Sequence, residues 1–143
     1  GERVRETIKA KALTDLRFCE SVEAAHSNHG TAAKVAEELG ITAAPLRLDS
    51  QVKYGAMCRG EAEVYLRLPA SKGHMGSGYV ENIWDHAAGC LLMQEAGGVV
   101  SDMNGAPLDF GHGPKLVKNR GVLASCSPEL HEKVVAAVGK HAD

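Results

Sequence analysis

Residues 84–102 read Trp84-Asp85-His86-Ala87-Ala88-Gly89-Cys90-Leu91-Leu92-Met93-Gln94-Glu95-Ala96-Gly97-Gly98-Val99-Val100-Ser101-Asp102, and their order decides the fold class. Residues 86–96 carry helical spacing, with Ala88, Leu91, Leu92 and Glu95 expected on one face, and the Gly97-Gly98 pair supplies the stop. A short apolar strand over 99–102 follows at once. Upstream the same alternation returns. Residues 18–22 read as a strand interrupted by Cys19 and Glu20. Ala32, Val35, Ala36 and Leu39 then sit at i, i+3, i+4 and i+7 of a helix over 31–39, stopped by Gly40. In 45–49, Leu46 and Leu48 alternate with Arg47 and Asp49. Ser50 is placed to cap a helix over 51–58, ended by Gly60. Val64, Leu66 and Leu68 alternate with Tyr65 and Arg67 in a strand that ends at Pro69. Downstream come a strand over 121–125 and, after Ser127-Pro128, a helix to about Val138. Strands interleaved with helices predict an α/β layered domain, a mixed β-sheet flanked by helices, whose strand order this pattern does not specify.

The chain of 143 residues has the size of a single domain, taken here as 1–143. Hydrophobic residues at 44% and charged ones at 24% are enough to build a core and exclude a disordered chain. A net charge of −2 gives no basic field to recruit a nucleic acid polymer or an anionic membrane. No apolar run approaches the length of a membrane-spanning helix. Residues 1–11 are charged and lack the apolar core of a secretory signal, and the missing initial methionine suggests a processed product or a piece of something longer. Cys19, Cys58, Cys90 and Cys126 form no CxxC pair. They read as reduced thiols of an intracellular, reducing compartment, either the cytoplasm or the matrix of a chloroplast or mitochondrion. Ten of the sixteen glycines lie between Gly73 and Gly121, which predicts sharp turns there and a flexible loop over 70–78.

Asp85 stands where a loop becomes a helix, and two readings are open. Its carboxylate caps the helix, or it ligates a hard cation beside a helix N-terminus, whose dipole also favours a phosphate. Small Ala87, Ala88 and Gly89 would let a bulky anion approach the backbone. Lys53 and Arg67 are either solvated charges or anion donors, and the strand directs Arg67 to the same sheet face as Tyr65. Tyr65 itself either packs or flanks a base. His26 is a loop histidine, and Trp84 reads as a packing residue. His29, His74, His86 and His112 show no HExxH spacing, so zinc gains no support. Gly111-His112-Gly113 lacks the lysine and hydroxyl of a phosphate loop.

The run Trp84-Asp85-His86-Ala87-Ala88-Gly89, then Glu95-Ala96-Gly97-Gly98, Asp102, Gly105, Leu108-Asp109-Phe110 and Gly121-Val122 resembles the C-terminal signature of the inositol monophosphatase superfamily. Those are magnesium-dependent, lithium-sensitive phosphatases. Residues 18–23, 26–29, 49–54 and 64–69 resemble its 3′(2′),5′-bisphosphate nucleotidase branch, so the likeness runs from about Arg17 to about Ser125. The resemblance implies a fold like the C-terminal domain of these phosphatases. It implies that Asp85 is a metal ligand for Mg2+, and that His26, Ser50, Lys53 and Arg67 hold a small nucleotide bisphosphate through its non-reacting 5′-phosphate. It also implies hydrolysis of adenosine 3′,5′-bisphosphate to AMP and phosphate, in sulfur metabolism.

The sequence departs from that family in one large respect. The Glu-containing segment and the Asp-Pro-Ile/Leu-Asp-Gly-Thr stretch, which carry most of the family's metal ligands, have no counterpart here. One carboxylate cannot satisfy magnesium. The expectation is therefore a C-terminal half of a two-domain phosphatase, inactive alone, with further ligands and a partner surface from its own N-terminal domain. The alternatives are an inositol-phosphate phosphatase of the same fold and a non-catalytic domain that binds a nucleotide or a partner protein.

Overall fold

The computed structural model describes residues 11–22, 29–69 and 80–142. The described residues form a five-stranded sheet in the order β2-β1-β3-β5-β4, flanked by four helices. The strands are β1 (Phe18–Glu20), β2 (Leu46–Arg47), β3 (Val64–Arg67), β4 (Val99–Ser101) and β5 (Val122–Ser125), and the helices are α1 (His29–Leu39), α2 (Val52–Cys58), α3 (Ala87–Glu95) and α4 (Pro128–His141). β1 runs parallel to β2 and β3, while β5 runs antiparallel to β3 and β4, so the sheet is mixed as the sequence predicts.

Strand periodicity sorts side chains onto two buried faces. Phe18, Val64, Leu66 and Leu123 join Ala32 and Val35 of α1 and Leu130, Val134, Ala137 and Val138 of α4 in one apolar cluster. Cys19, Tyr65, Val122 and Ala124 face the other way, onto Tyr54 and Met57 of α2 and Cys90 and Met93 of α3. Each fully buried aliphatic side chain contributes about 1.5–3 kcal/mol relative to exposure. Two expected punctuation marks are in place. Gly40 ends α1 with φ +71°, and the Ser127 hydroxyl accepts the Leu130 N–H ahead of Pro128 in the first turn of α4. The four cysteines are free thiols.

Two local expectations, those on Ser50 and Trp84, are corrected. Ser50 does not cap α2: the cap position belongs to Gln51, which makes no side-chain cap bond, and Ser50 is exposed with φ +55°. Ala88, Leu91, Leu92 and Glu95 do share one face of α3, and it is the exposed one, with Leu91 and Leu92 59% and 53% exposed, while Gly89, Cys90 and Met93 turn inward. Trp84 is 59% exposed and is not a packing residue of the described fold. In each case tertiary placement, invisible to local spacing, decides which side turns inward.

Candidate functional site

The topology itself marks one end of the sheet. From β1 the chain crosses through α1 to β2 on one side, and from β2 it crosses through α2 to β3 on the other. Parallel strands that diverge in this way open a crevice at their carboxyl ends, where α/β proteins bind ligands. Ser50 and Lys53 follow β2, and Arg67 ends β3. His26 lies outside the described residues. Gly121 fixes the end of β3: it has φ +65°, and a Cβ there would approach the Arg67 carbonyl oxygen to 2.9 Å.

Lys53 is buried, at 4% exposure. Its Nζ donates to the Leu48 carbonyl at 3.3 Å and lies 5.3 Å from the centre of the Tyr65 ring, within cation–π range. Burial lowers its pKa, and the Arg67 charge nearby lowers it further against the opposing pull of Cys19 and Asp49. Tyr65 is packed edge-on to Tyr54, with ring centres 5.4 Å apart. Burial pushes its hydroxyl well up, Arg67 pulls it down, and Glu81 and Asp85 push it up again. Lys53, Arg67, Glu81 and Asp85 thus all act on one neighbourhood around Tyr65. Its buried ring packs, and the base-flanking reading is not what the structure shows.

Asp85 ends a 3₁₀ turn, Ile83–Asp85. His86, not Asp85, occupies the cap position of α3 and makes no side-chain cap bond, so the capping reading of Asp85 is overturned. The Asp85 carboxylate is exposed and accepts the Asn82 side-chain amide at 3.0 Å through Oδ2. Gln51 secures the turn from below: its Nε2 donates to the Trp84 carbonyl at 2.8 Å and its Oε1 accepts the Gly89 N–H at 2.9 Å. That N–H is therefore already taken. Gly89 is small because Tyr54 needs the room, with a Cβ there falling 2.1 Å from Tyr54 Cδ2. The expectation that Gly89 leaves space for an anion is corrected accordingly.

Glu81 and Gln51 are the polar residues that spacing did not single out. Glu81 Oε1 accepts from Arg67 Nε at 2.9 Å, and Oε2 accepts from His86 Nε2 at 2.9 Å. His86, 2% exposed, meets the Tyr54 hydroxyl at 2.8 Å through Nδ1. Burial works to raise the Glu81 pKa, but hydrogen bonds and charge from His86 and Arg67 outweigh it and hold the carboxyl below its ordinary value. No short motif encodes these partners, which lie 14 and 33–38 residues away for Arg67–Glu81 and Gln51 respectively.

Among the described residues, no three His, Cys, Asp or Glu side chains form a group able to hold a metal. Asp85 offers one hard oxygen donor of the kind magnesium prefers, and the described residues by themselves fall short of the several oxygens it requires.

The sequence model of the inositol monophosphatase family matches residues 3–143. The chain is 51% identical over 123 residues to a 3′(2′),5′-bisphosphate nucleotidase of Schizosaccharomyces pombe, covering 86% of this chain and 33% of that one. It is 50% identical over 138 residues to a 3′(2′),5′-bisphosphate nucleotidase of Emericella nidulans, covering 94% of this chain and 38% of that one. It thus spans about a third of the length of these curated relatives. Among solved structures, the extragenic suppressor protein suhB of Bartonella henselae superposes with a TM-score of 0.63 at 19% identity, over 92% of this chain and 45% of that one. An inositol monophosphatase from Anabaena gives 0.63 at 17%, over 90% and 45%. At such identities the solved structures establish the fold, and with the family match over nearly the whole sequence the chain belongs to the inositol monophosphatase family.

Proposed function

We propose that this chain is part of a 3′(2′),5′-bisphosphate nucleotidase, a phosphoric monoester hydrolase that converts adenosine 3′,5′-bisphosphate to AMP and phosphate. The observation that carries the reading is the buried Lys53, held only 5.3 Å from the Tyr65 ring centre, with Arg67 acting on the same neighbourhood at the carboxyl end of parallel strands. A buried cation whose hydrogen bond goes to a carbonyl gains most from an anionic ligand, and a bisphosphate nucleotide supplies one at its 5′-phosphate. Identity of about half to relatives bearing that name supports the same substrate class. In this reading Ser50, Lys53, Arg67 and His26 hold the nucleotide and its 5′-phosphate. Asp85 contributes one ligand to magnesium, with the remaining ligands coming from outside the described residues. The bound ion would supply charge neutralisation for the scissile phosphate.

The strained backbone of Ser50 agrees with this role. A non-glycine residue at φ +55° costs on the order of 1–3 kcal/mol, and such strain is stored preferentially where a ligand is clamped. The test is phosphate release by the full-length parent from adenosine 3′,5′-bisphosphate and from an inositol monophosphate. Asp85→Asn should lower kcat by about 100-fold or more, and Arg67→Ala should raise KM for the bisphosphate by about tenfold or more. A parent that turns over inositol monophosphate far better than the nucleotide defeats the assignment.

A further inference from the structure

Glu81 joins two parts of the site that belong to different layers. Oε1 binds the Nε–H of Arg67 on β3, and Oε2 binds the Nε2–H of His86 at the start of α3, each at 2.9 Å. Both carboxylate oxygens are thereby engaged, and the side chain is only 11% exposed. Its backbone is pinned as well. The Glu81 carbonyl accepts the Leu116 N–H at 2.9 Å, and the neighbouring Asn82 forms a bridge with Lys115. His86 has little freedom of its own, because Nδ1 meets the Tyr54 hydroxyl and the Tyr54 ring is wedged against Gly89 and Tyr65.

A guanidinium is a planar fork, and a hydrogen bond from its Nε–H to a carboxylate oxygen whose partner oxygen is held by His86 limits how that plane can turn. Glu81 also places a negative charge beside Arg67, whose own charge acts on the buried Lys53. From this geometry, and resting on the nucleotidase reading above, we infer that Glu81 is the positioning residue for Arg67. It sets the guanidinium plane for the non-reacting 5′-phosphate and so governs preference for a nucleotide bisphosphate over a nucleotide with a single phosphate.

The experiment compares adenosine 3′,5′-bisphosphate with 3′-AMP, which presents the same scissile ester without the 5′-phosphate, on the full-length parent. Glu81→Gln keeps the shape but loses the charge. It should raise KM for the bisphosphate about tenfold, the scale of one charge-assisted hydrogen bond, with kcat and the KM for 3′-AMP within about twofold of the parent. Glu81→Asp should recover most of the loss. In an Arg67→Ala background Glu81→Gln should add nothing. Thermal melting of each variant identifies any that fails to fold, and Glu81→Asp, read on the same two substrates, then carries the test. Equal damage to both substrates, or additive effects of Glu81→Gln and Arg67→Ala, overturns the inference while leaving the nucleotidase reading in place. An Arg67→Ala variant with an unchanged KM for the bisphosphate overturns the underlying reading, and this inference with it.

Discussion

Replacing Gly89 by alanine adds one methyl group at a place with no room for it. The new Cβ would lie 2.1 Å from Tyr54 Cδ2, 2.4 Å from Cγ and 2.6 Å from Cε2. Tyr54 cannot step aside: it is 1% exposed, its hydroxyl is engaged by His86, and its ring stands edge-on to Tyr65. Overpacking of this kind costs about 1–3 kcal/mol, and losing the Tyr54–His86 bond adds about 1 kcal/mol. Alanine's better helix propensity returns at most about 1 kcal/mol. The balance is a loss of about 1–3 kcal/mol, or a fall in Tm of roughly 3–10 °C for a domain of this size. Gly55 is the matched control. It lies inside α2 with nothing within 4 Å of a Cβ, so Gly55→Ala should be neutral or stabilising by up to about 1 kcal/mol. Thermal and denaturant melts of the two variants, followed by circular dichroism, read opposite signs from the same substitution. A Gly89→Ala protein as stable as the parent would refute the close α2–α3 contact on which the Tyr54–His86–Glu81 arrangement depends.

Two further outcomes follow from other sites. Lys53→Met removes a charge whose burial lowers its pKa, so the melting temperature should hold or rise by the equivalent of about 1 kcal/mol while KM for the bisphosphate nucleotide increases; a clear fall in Tm, or an unchanged KM, contradicts the role given to this lysine. His131 meets Ser101 Oγ at 2.7 Å and Ser125 Oγ at 3.1 Å, and burial holds its pKa below the ordinary 6.5. The unfolded chain therefore takes up this proton first, so stability is full above about pH 6.5 and declines as pH falls from there toward the folded pKa. Denaturant midpoints from pH 8 to pH 5 should show that decline in the parent and a flatter profile in His131→Gln; identical slopes would remove His131 as its source.

The sheet was legible where local rules act alone. Period-two alternation found β3, and the same alternation put Tyr65 and Arg67 on one face, as observed. Ser127-Pro128 marked the start of α4, and Gly40 the end of α1, because caps and left-handed stops are set within a few residues. The failures share one cause. Trp84 reads as a packing residue because it is apolar, and the spacing of Ala88, Leu91, Leu92 and Glu95 leaves open which side of α3 meets the sheet, which is decided by Tyr54 fitting against Gly89. Ser50 has the chemistry of a cap but stands one residue too early, on a backbone turned to positive φ. Asp85, Lys53 and Arg67 were marked as candidate site residues through a family resemblance. Glu81 and Gln51 were missed because Glu81's bond to Arg67 spans 14 residues and Gln51's bonds to Trp84 and Gly89 span 33 and 38, separations that no spacing rule detects.

The strand pairings also set the order in which the chain can assemble. Phe18 pairs with Val64, Val64 with Ser125, and Val99 with Ser125, so none of these neighbours is joined by a tight hairpin. Closing each of these loops costs chain entropy before any contact repays it. The central strand, which ends in Arg67, cannot complete its ladder until residues near both ends of the sequence have arrived. The carboxyl end of β3 is therefore among the last parts to take shape. Its geometry depends on the success of the whole topology, not on any one local element.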